Sequence, residues 1–258
     1  MHNLNPIGLF DSGIGGTSIW KEIHTLLPNE NTIYLADSKN APYGQKSKEE
    51  IIFLSKKNTE ILLNKNAKII VVACNTATTN AIKELRSLYD VPFIGIEPAI
   101  KPAAHKSKTK TIGILATKGT LNSALFSQSV LNYPSTKIVE QIGYGLVQLI
   151  EEGKIESEAM KELLTQYLSP MVKQNIDYLV LGCSHYPYLI PQIKKIIPQH
   201  IKIIDSGQAV ALQTKNVLSE NNTLNKGLGS SNLFYTNSNP QVLQKIIGLR
   251  YTIIEEDF

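Results

Sequence analysis

Two apolar runs each break at a cysteine, and together they hold both thiols of the chain. One reads Val71-Val72-Ala73-Cys74-Asn75-Thr76-Ala77-Thr78. The other reads Leu179-Val180-Leu181-Gly182-Cys183-Ser184-His185-Tyr186. A short aliphatic run without polar alternation is how a strand covered on both faces reads, and such burial marks a parallel sheet. Small hydroxyl residues and then a helical pattern follow each cysteine. In open α/β sheets, ligands sit at the carboxyl ends of the strands. Two thiols at two such ends are placed to meet one small molecule from opposite sides.

The strand–helix alternation runs along the whole chain. Strands are expected at Ile7–Phe10, Thr32–Ala36, Lys68–Ala73 and Asp90–Ile96. The helices between them are a stretch with Ile19, Ile23, Leu26 and Leu27 on one face, then Lys48–Asn64 and Thr79–Leu88. Near Glu97-Pro98 the pattern begins again. Its strands are Thr111–Ala116, Ser135–Glu140, Tyr178–Gly182 and Ile201–Ile204. Its helices start from Asn122 and cover Ser157–Gln174 and Tyr188–Ile197, the last interrupted by Pro191. The remaining stretch holds a helix at Ala209–Ser219, a polar loop around Asn221–Ser231, a strand at Asn232–Tyr235, a helix at Pro240–Ile247 and a short tail strand. It is too short for a third domain and is expected to return to the first lobe. The fold class is therefore α/β, with two pseudo-symmetric lobes, mainly parallel sheets and the active site in the cleft between them. The first lobe is expected to take 1–97 plus 208–258, and the second 98–207.

Composition removes several function classes. At 42% hydrophobic and 19% charged residues, an ordinary soluble globular protein is the default. The net charge of +4 is mild and scattered, and nucleic-acid binding is not supported. No apolar run approaches the roughly 20 residues of a membrane helix. The start Met1-His2-Asn3-Leu4-Asn5-Pro6 lacks the basic-then-apolar order of a signal peptide. A cytoplasmic protein with reduced thiols follows as the expectation. The cysteines have no CxxC spacing, and no metal site is expected.

The chemistry-bearing residues lie at strand ends. Asp11-Ser12-Gly13-Ile14-Gly15-Gly16-Thr17 follows the first strand; it lacks the third glycine of the dinucleotide fingerprint. Asp11 reads equally as a helix cap or turn residue. Ala41-Pro42-Tyr43-Gly44 is turn chemistry, and its tyrosine hydroxyl and adjacent N–H groups suit a carboxylate. His185 follows Cys183 by two residues and is close enough to tune the thiol or relay a proton. Asp11 comes from another strand end of the first lobe and can serve Cys74 in the same way. One cysteine alone is usually a small buried hydrophobe. Two opposed thiols suit inversion of a stereocentre: one takes a proton from carbon and the other returns a proton to the opposite face. An amino acid's α-carbon is the obvious substrate centre. Asn75, Thr76, Ser184, Ser12 and nearby N–H groups are the donors for the developing carbanion.

These motifs resemble those of the glutamate racemases, within the wider cofactor-independent aspartate/glutamate racemase superfamily. The resemblance rests on Gly8–Gly16, Ala41–Gly44, Ala73–Ala77 and Leu181–Pro187, in that order, and extends along nearly the whole chain. It implies two α/β lobes and interconversion of L- and D-glutamate without pyridoxal phosphate or metal, the D-glutamate going to peptidoglycan. By motif match, Cys74 resembles the base for D-glutamate and Cys183 the base for L-glutamate, assisted by Asp11 and His185 respectively. Asp11, Ser12, Tyr43, Gly44, Asn75, Thr76, Ser184 and His185 resemble the substrate contacts. Serine at 184 replaces the usual threonine and keeps the hydroxyl. Glu151 is the better match to an active-site glutamate, against an exposed helix end as the plain reading of Glu151 and Glu152. The resemblance also implies a homodimer. Few residues precede Gly8, so regulation by a cell-wall precursor is not expected.

Two other readings stay open from sequence. One is a racemase of aspartate or another amino acid. The other is a non-catalytic two-lobe ligand-binding protein whose cysteines are structural or redox-active.

Overall fold

The computed structural model describes residues 3–227 and 229–258. Met1 and His2 of the expected leaderless start, and Leu228 of the expected polar loop, lie outside the described residues. The first half runs β1 (Ile7–Asp11), α1 (Thr17–Leu26), β2 (Thr32–Ala36), α2 (Lys48–Asn64), β3 (Ile69–Val72), α3 (Asn75–Leu88) and β4 (Phe93–Gly95). The second runs α4 (Ile100–Lys106), β5 (Thr111–Ala116), α5 (Lys118–Leu121), α6 (Ala124–Leu131), β6 (Lys137–Ile142), α7 (Leu146–Glu151), α8 (Glu158–Lys173), β7 (Tyr178–Gly182), α9 (Ile190–Ile196) and β8 (Lys202–Ile204). The chain closes with α10 (Gly207–Glu220), β9 (Asn232–Thr236), α11 (Pro240–Ile247) and β10 (Thr252–Glu255).

Among the described residues these strands form two sheets, in the orders β10-β9-β2-β1-β3-β4 and β6-β5-β7-β8. The ladders of both are parallel. Parallel pairing needs a crossover between neighbours, and the intervening helices supply it. They also cover both faces, which is why β1, β2 and β3 are buried along their whole lengths. The segment β2-β1-β3-β4 repeats as β6-β5-β7-β8: second, first, third, fourth in each half. Each sheet thus has a switch point where the winding reverses, between β1 and β3 in one and between β5 and β7 in the other.

Three local expectations give way. The helix expected from Thr79 starts at Asn75, because the Cys74 sulfur caps it by accepting the Ala77 N–H at 3.4 Å. The polar run Asn75–Thr79 is its first turn. The helix expected from Asn122 is split. Thr117 caps α5, and Ser123 caps α6 by accepting from Phe126 N at 3.2 Å. Pro191 opens α9 in its first turn, where a missing N–H costs nothing, rather than interrupting it. No described helix is long and apolar enough to cross a membrane.

The chain passes between the sheets near Glu97–Ala99 and again near Asp205–Gly207. The Ser206 hydroxyl donates to the Glu97 carbonyl and ties the two crossings together. The largest apolar cluster runs across the seam, joining Ile14 and Tyr34 on one side with Leu146, Leu181 and Tyr186 on the other. Burial of such side chains contributes about 1.5–3 kcal/mol each, so the closed arrangement rests on packing as well as on polar contacts.

Candidate active site

Loops after strands carry the candidate residues into the seam. Asp11 ends β1 and is fully buried. Its Oδ2 accepts Gly13 N at 3.2 Å and Gly16 N at 3.0 Å, which ties the glycine loop back on the strand end. Its Oδ1 accepts the Ser184 hydroxyl at 3.0 Å from the other half. Burial raises the Asp11 carboxyl above the usual range, partly offset by the charge of His185 and the Gly16 N–H. The Ser12 hydroxyl lies 3.7 Å from the Cys74 sulfur.

Cys74 and Cys183 are free and buried. Cys74 leaves β3 beside Asp11 at the first switch point; Cys183 leaves β7 at the second. Burial pushes the Cys74 thiol far up, and the charges of Asp11 and then Cys183 add to it; the Ala77 N–H and Ser12 oppose the rise. In this closed site Cys74 therefore rests as a thiol. The Cys183 sulfur lies 3.8 Å from His185 Nδ1.

His185 is almost wholly enclosed, and every polar neighbour holds it. Its Nε2 is 2.6 Å from Glu151 Oε1, and its Nδ1 is 3.9 Å from Asp11 Oδ2. Gly15 N also approaches Nε2, at 3.2 Å. The shorter carboxylate contact assigns the Nε2 proton a role as donor to Glu151. Burial lowers the imidazole, but the bonds to Cys183 and Glu151 and the Asp11 charge outweigh it and hold it well above its ordinary value. The imidazole thus keeps its proton to higher pH than a free imidazole would, with carboxylates at two sides.

Glu151 ends α7 and points inward, with its side chain 14% exposed. Oε1 also accepts Ile14 N at 2.7 Å, and Oε2 accepts the Ser38 hydroxyl at 2.8 Å. Glu152 faces outward and pairs with Lys154 at 2.7 Å. The tight fit explains two glycines. A Cβ at Gly13 would overlap the Glu151 carboxylate, and one at Gly15 would overlap the His185 ring.

The remaining candidates divide. Asn75 is 2% exposed, and neither Nδ2 nor Oδ1 has a hydrogen-bond partner among the described residues. A buried amide left wholly unpaired is costly, and in a native site it points to a ligand. Thr76 meets Thr117 Oγ1 at 2.8 Å across the seam, and Thr117 meets Thr120 at 3.0 Å. Gly44 packs on Thr117, where a Cβ would come within 2.8 Å of the threonine Cβ. Tyr43 directs its hydroxyl to Asp37 at 2.5 Å, and Asn58 donates to that hydroxyl at 3.0 Å. Its hydroxyl is thus engaged by Asp37 and Asn58, while Tyr43 packs in the same buried cluster as Cys74. A narrow cleft of about 20 Å³ lined by Pro42, Gly44, Thr117, Gly143 and Val147 opens beside these residues.

A family model for Asp/Glu/Hydantoin racemase matches residues 7–214, a span holding both thiols, Asp11, Glu151 and His185. The chain belongs to the Asp/Glu/Hydantoin racemase family. The glutamate racemase of Pseudomonas entomophila (strain L48) is 43% identical to this racemase-family chain over 244 residues, 94% of this chain and 92% of that protein. The structure of a glutamate racemase isoform from Bacillus anthracis matches with a TM-score of 0.90 at 29% identity, covering 99% of this chain and 98% of that one. That of the glutamate racemase from Francisella tularensis in complex with D-glutamate matches with a TM-score of 0.86 at 29% identity, over 98% and 97%.

Sequence reasoning about this racemase-family site overlooked Ser38, Thr117 and Thr120 as residues that bond across or beside the seam. One signal was available for Ser38: Asp37-Ser38 follows β2 as Asp11-Ser12 follows β1. Thr117 follows β5, the counterpart of β1 in the second sheet.

Proposed function

We propose that the protein is a glutamate racemase that moves the α-proton between two thiols and supplies D-glutamate for peptidoglycan. The observation that carries this reading is the pair of free cysteines at equivalent strand ends, each beside an acid–base group. The family membership and the 43% identical glutamate racemase support the substrate. The printed D-glutamate complex of the Francisella tularensis enzyme supports it as well.

In the L-to-D direction Cys183, as thiolate, takes the α-proton: the C–H bond breaks and an S–H bond forms. Cys74, resting as a thiol, gives its proton to the opposite face of the carbanion and becomes the thiolate. The reverse direction exchanges the roles. No electrons leave the substrate, and the two sulfurs end with exchanged protonation. His185 carries a proton to or from Cys183, and the Asp11 carboxyl, kept basic by burial, does so on the Cys74 side. The substrate ammonium brings positive charge into a dry site, which favours the thiolate form at the sulfur beside it. Asn75, Thr76, Ser12, Ser184 and the Gly44 N–H are the carboxylate contacts in this reading. Asn75 is the strongest of them, since its buried amide is free to bond.

The lobes are proposed as 1–97 plus 208–258 and 98–207. A homodimer and a cytoplasmic location are proposed from the family resemblance and the two unpaired thiols; light scattering of the purified protein reads the first.

The test is incubation with L- and then D-glutamate in deuterated water without added cofactor, following optical rotation and α-proton loss together. Loss of rotation with deuterium at Cα is the expected result. Silence with glutamate and turnover of aspartate would move the substrate assignment. Silence with both would sink the racemase reading.

A further inference from the structure

Glu151, like Asp11, is a carboxylate that both halves of the molecule hold at once. It arrives from α7 of the second half together with His185, its partner at 2.6 Å. The other two donors, Ile14 N at 2.7 Å and Ser38 Oγ at 2.8 Å, belong to the first half. Both oxygens are therefore engaged only while the halves are closed. Ser38 itself stands on a rigid base. The preceding Asp37 is fully buried and accepts from Tyr43 at 2.5 Å, Asn40 at 2.7 Å and Asn237 at 2.5 Å, with Asn58 at 3.3 Å. These partners come from the turn after β2, from α2 and from the end of β9. They fix the backbone at Ser38 and so fix where its hydroxyl points.

We propose that Ser38 is a positioning residue of the reaction: across the seam its hydroxyl sets the Glu151 carboxylate against His185, so that the proton partner of Cys183 is in place only when the halves close. The inference rests on the racemase reading above. Ser38 acts through Glu151. When the halves part, Glu151 loses Ile14 and Ser38 together and is left with His185 alone, free to turn about its own side-chain bonds. Proton transfer at Cys183 is then out of register until the site is shut and dry. The groups facing His185 are Glu151 from α7, Asp11 from β1 and Cys183 from its own strand end; Tyr34, from β2, holds the Gly13 carbonyl at 2.7 Å beside them.

The test compares wild type with Ser38→Ala, Ser38→Thr, Glu151→Gln and the Ser38→Ala/Glu151→Gln pair, each with its folding checked by circular dichroism. Ser38 is half-buried, and threonine keeps the hydroxyl donor. Two readouts are taken: the pH profile of kcat and KM for L-glutamate, and the imidazole titration of His185 by NMR on the substrate-free protein. Ser38→Ala is expected to lower kcat about tenfold, the scale of a lost hydrogen bond to a charged group, with KM changed far less. It is also expected to move the His185 titration to lower pH. Ser38→Thr restores both, and Ser38→Ala adds nothing to Glu151→Gln, as expected for residues acting as one unit. A His185 titration and pH profile unmoved by Ser38→Ala would overturn the inference. So would a threonine variant that behaves like alanine, or an effect that adds in full to Glu151→Gln. A protein inert toward both glutamate and aspartate whose His185 titration still moves would sink the racemase reading and leave the Ser38–Glu151–His185 coupling standing.

Discussion

β3 and β7 hold the same place in their sheets, each between the first and fourth strands of its half, yet the thiols they deliver are handled differently. Cys74 caps the 14-residue α3 and takes the Ala77 N–H on its sulfur. Its titrating neighbour is the Asp11 carboxyl, and burial and that charge keep it a thiol. Cys183 is followed by a short turn that brings His185 to its sulfur, and the bonds to Cys183 and Glu151 with the Asp11 charge raise that imidazole above its ordinary value. Sheet topology places the two sulfurs equivalently; the few residues after each strand decide which proton partner each receives. A racemase needs equivalent placement to reach both faces of one carbon, and it needs unlike partners so that one sulfur rests as acid while the other serves as base.

The largest expected effect breaks the comparison outright. Cys74→Ala and Cys183→Ala should each lower glutamate racemisation by about 10²–10⁴-fold, the scale of a positioned acid or base. Calorimetry should still record glutamate binding. Full activity in either variant would remove the two-thiol mechanism.

Crowding the glycine loop tests whether the imidazole side depends on closure. Gly13→Ala and Gly15→Ala each place a methyl where Glu151 or His185 sits. A displacement near 1 Å costs on the order of 10²-fold in rate. Steady-state kinetics with both enantiomers reads this loss, and wild-type rates would refute the described fit.

Thr117→Val probes the residue just after β5, the counterpart of the Ser12 position in the second half. It removes the 2.8 Å contact to Thr76 while keeping the shape. The cost is about 1 kcal/mol, read as a several-fold rise in KM or a lowered urea midpoint. No change in either would make that contact irrelevant to closure.

The smallest effect is on stability against pH. The folded state raises His185, so it binds more protons there than the unfolded chain does. Its contribution is complete below the unfolded value of about 6.5 and is lost as pH rises through the raised folded value. Asp11, also raised, has the same sign and begins its loss near the ordinary carboxylate value. Urea midpoints should fall from about pH 6 to about pH 9 in wild type, and less in His185→Gln. Parallel curves for the two proteins would contradict the direction of the imidazole shift.

Outside the active site, the plainest charged cluster is Lys68 with Glu30, paired at 2.6 Å and almost fully enclosed. Lys68 also donates to the carbonyls of Asn3 and Thr223. It clasps the start of the chain to the loop after α10 and has no counterpart role in the thiol comparison.

Much of the architecture was legible in the residues because its causes are local. Runs such as Lys68–Ala73 and Tyr178–Gly182 read as buried strands from their unbroken apolar, β-branched character, and the amphipathic spacing of Lys48–Asn64 read as a helix. Both thiols could be set at strand ends for the same reason. The start of α3 was misread because a cysteine is a rare cap, and the polar Asn75–Thr78 looks like a turn until the sulfur is seen accepting Ala77 N. Between Glu151 and Glu152 the family resemblance favoured Glu151, while an exposed helix end stayed open as the plain reading of both. Only the tertiary structure turns one inward to His185 and leaves the other with Lys154. Ser38 meets Glu151 across 113 positions, and Thr76 meets Thr117 across 41. Strand and helix periods are written in neighbouring residues, whereas a hydrogen bond across the seam exists only once two separately wound sheets have closed on each other.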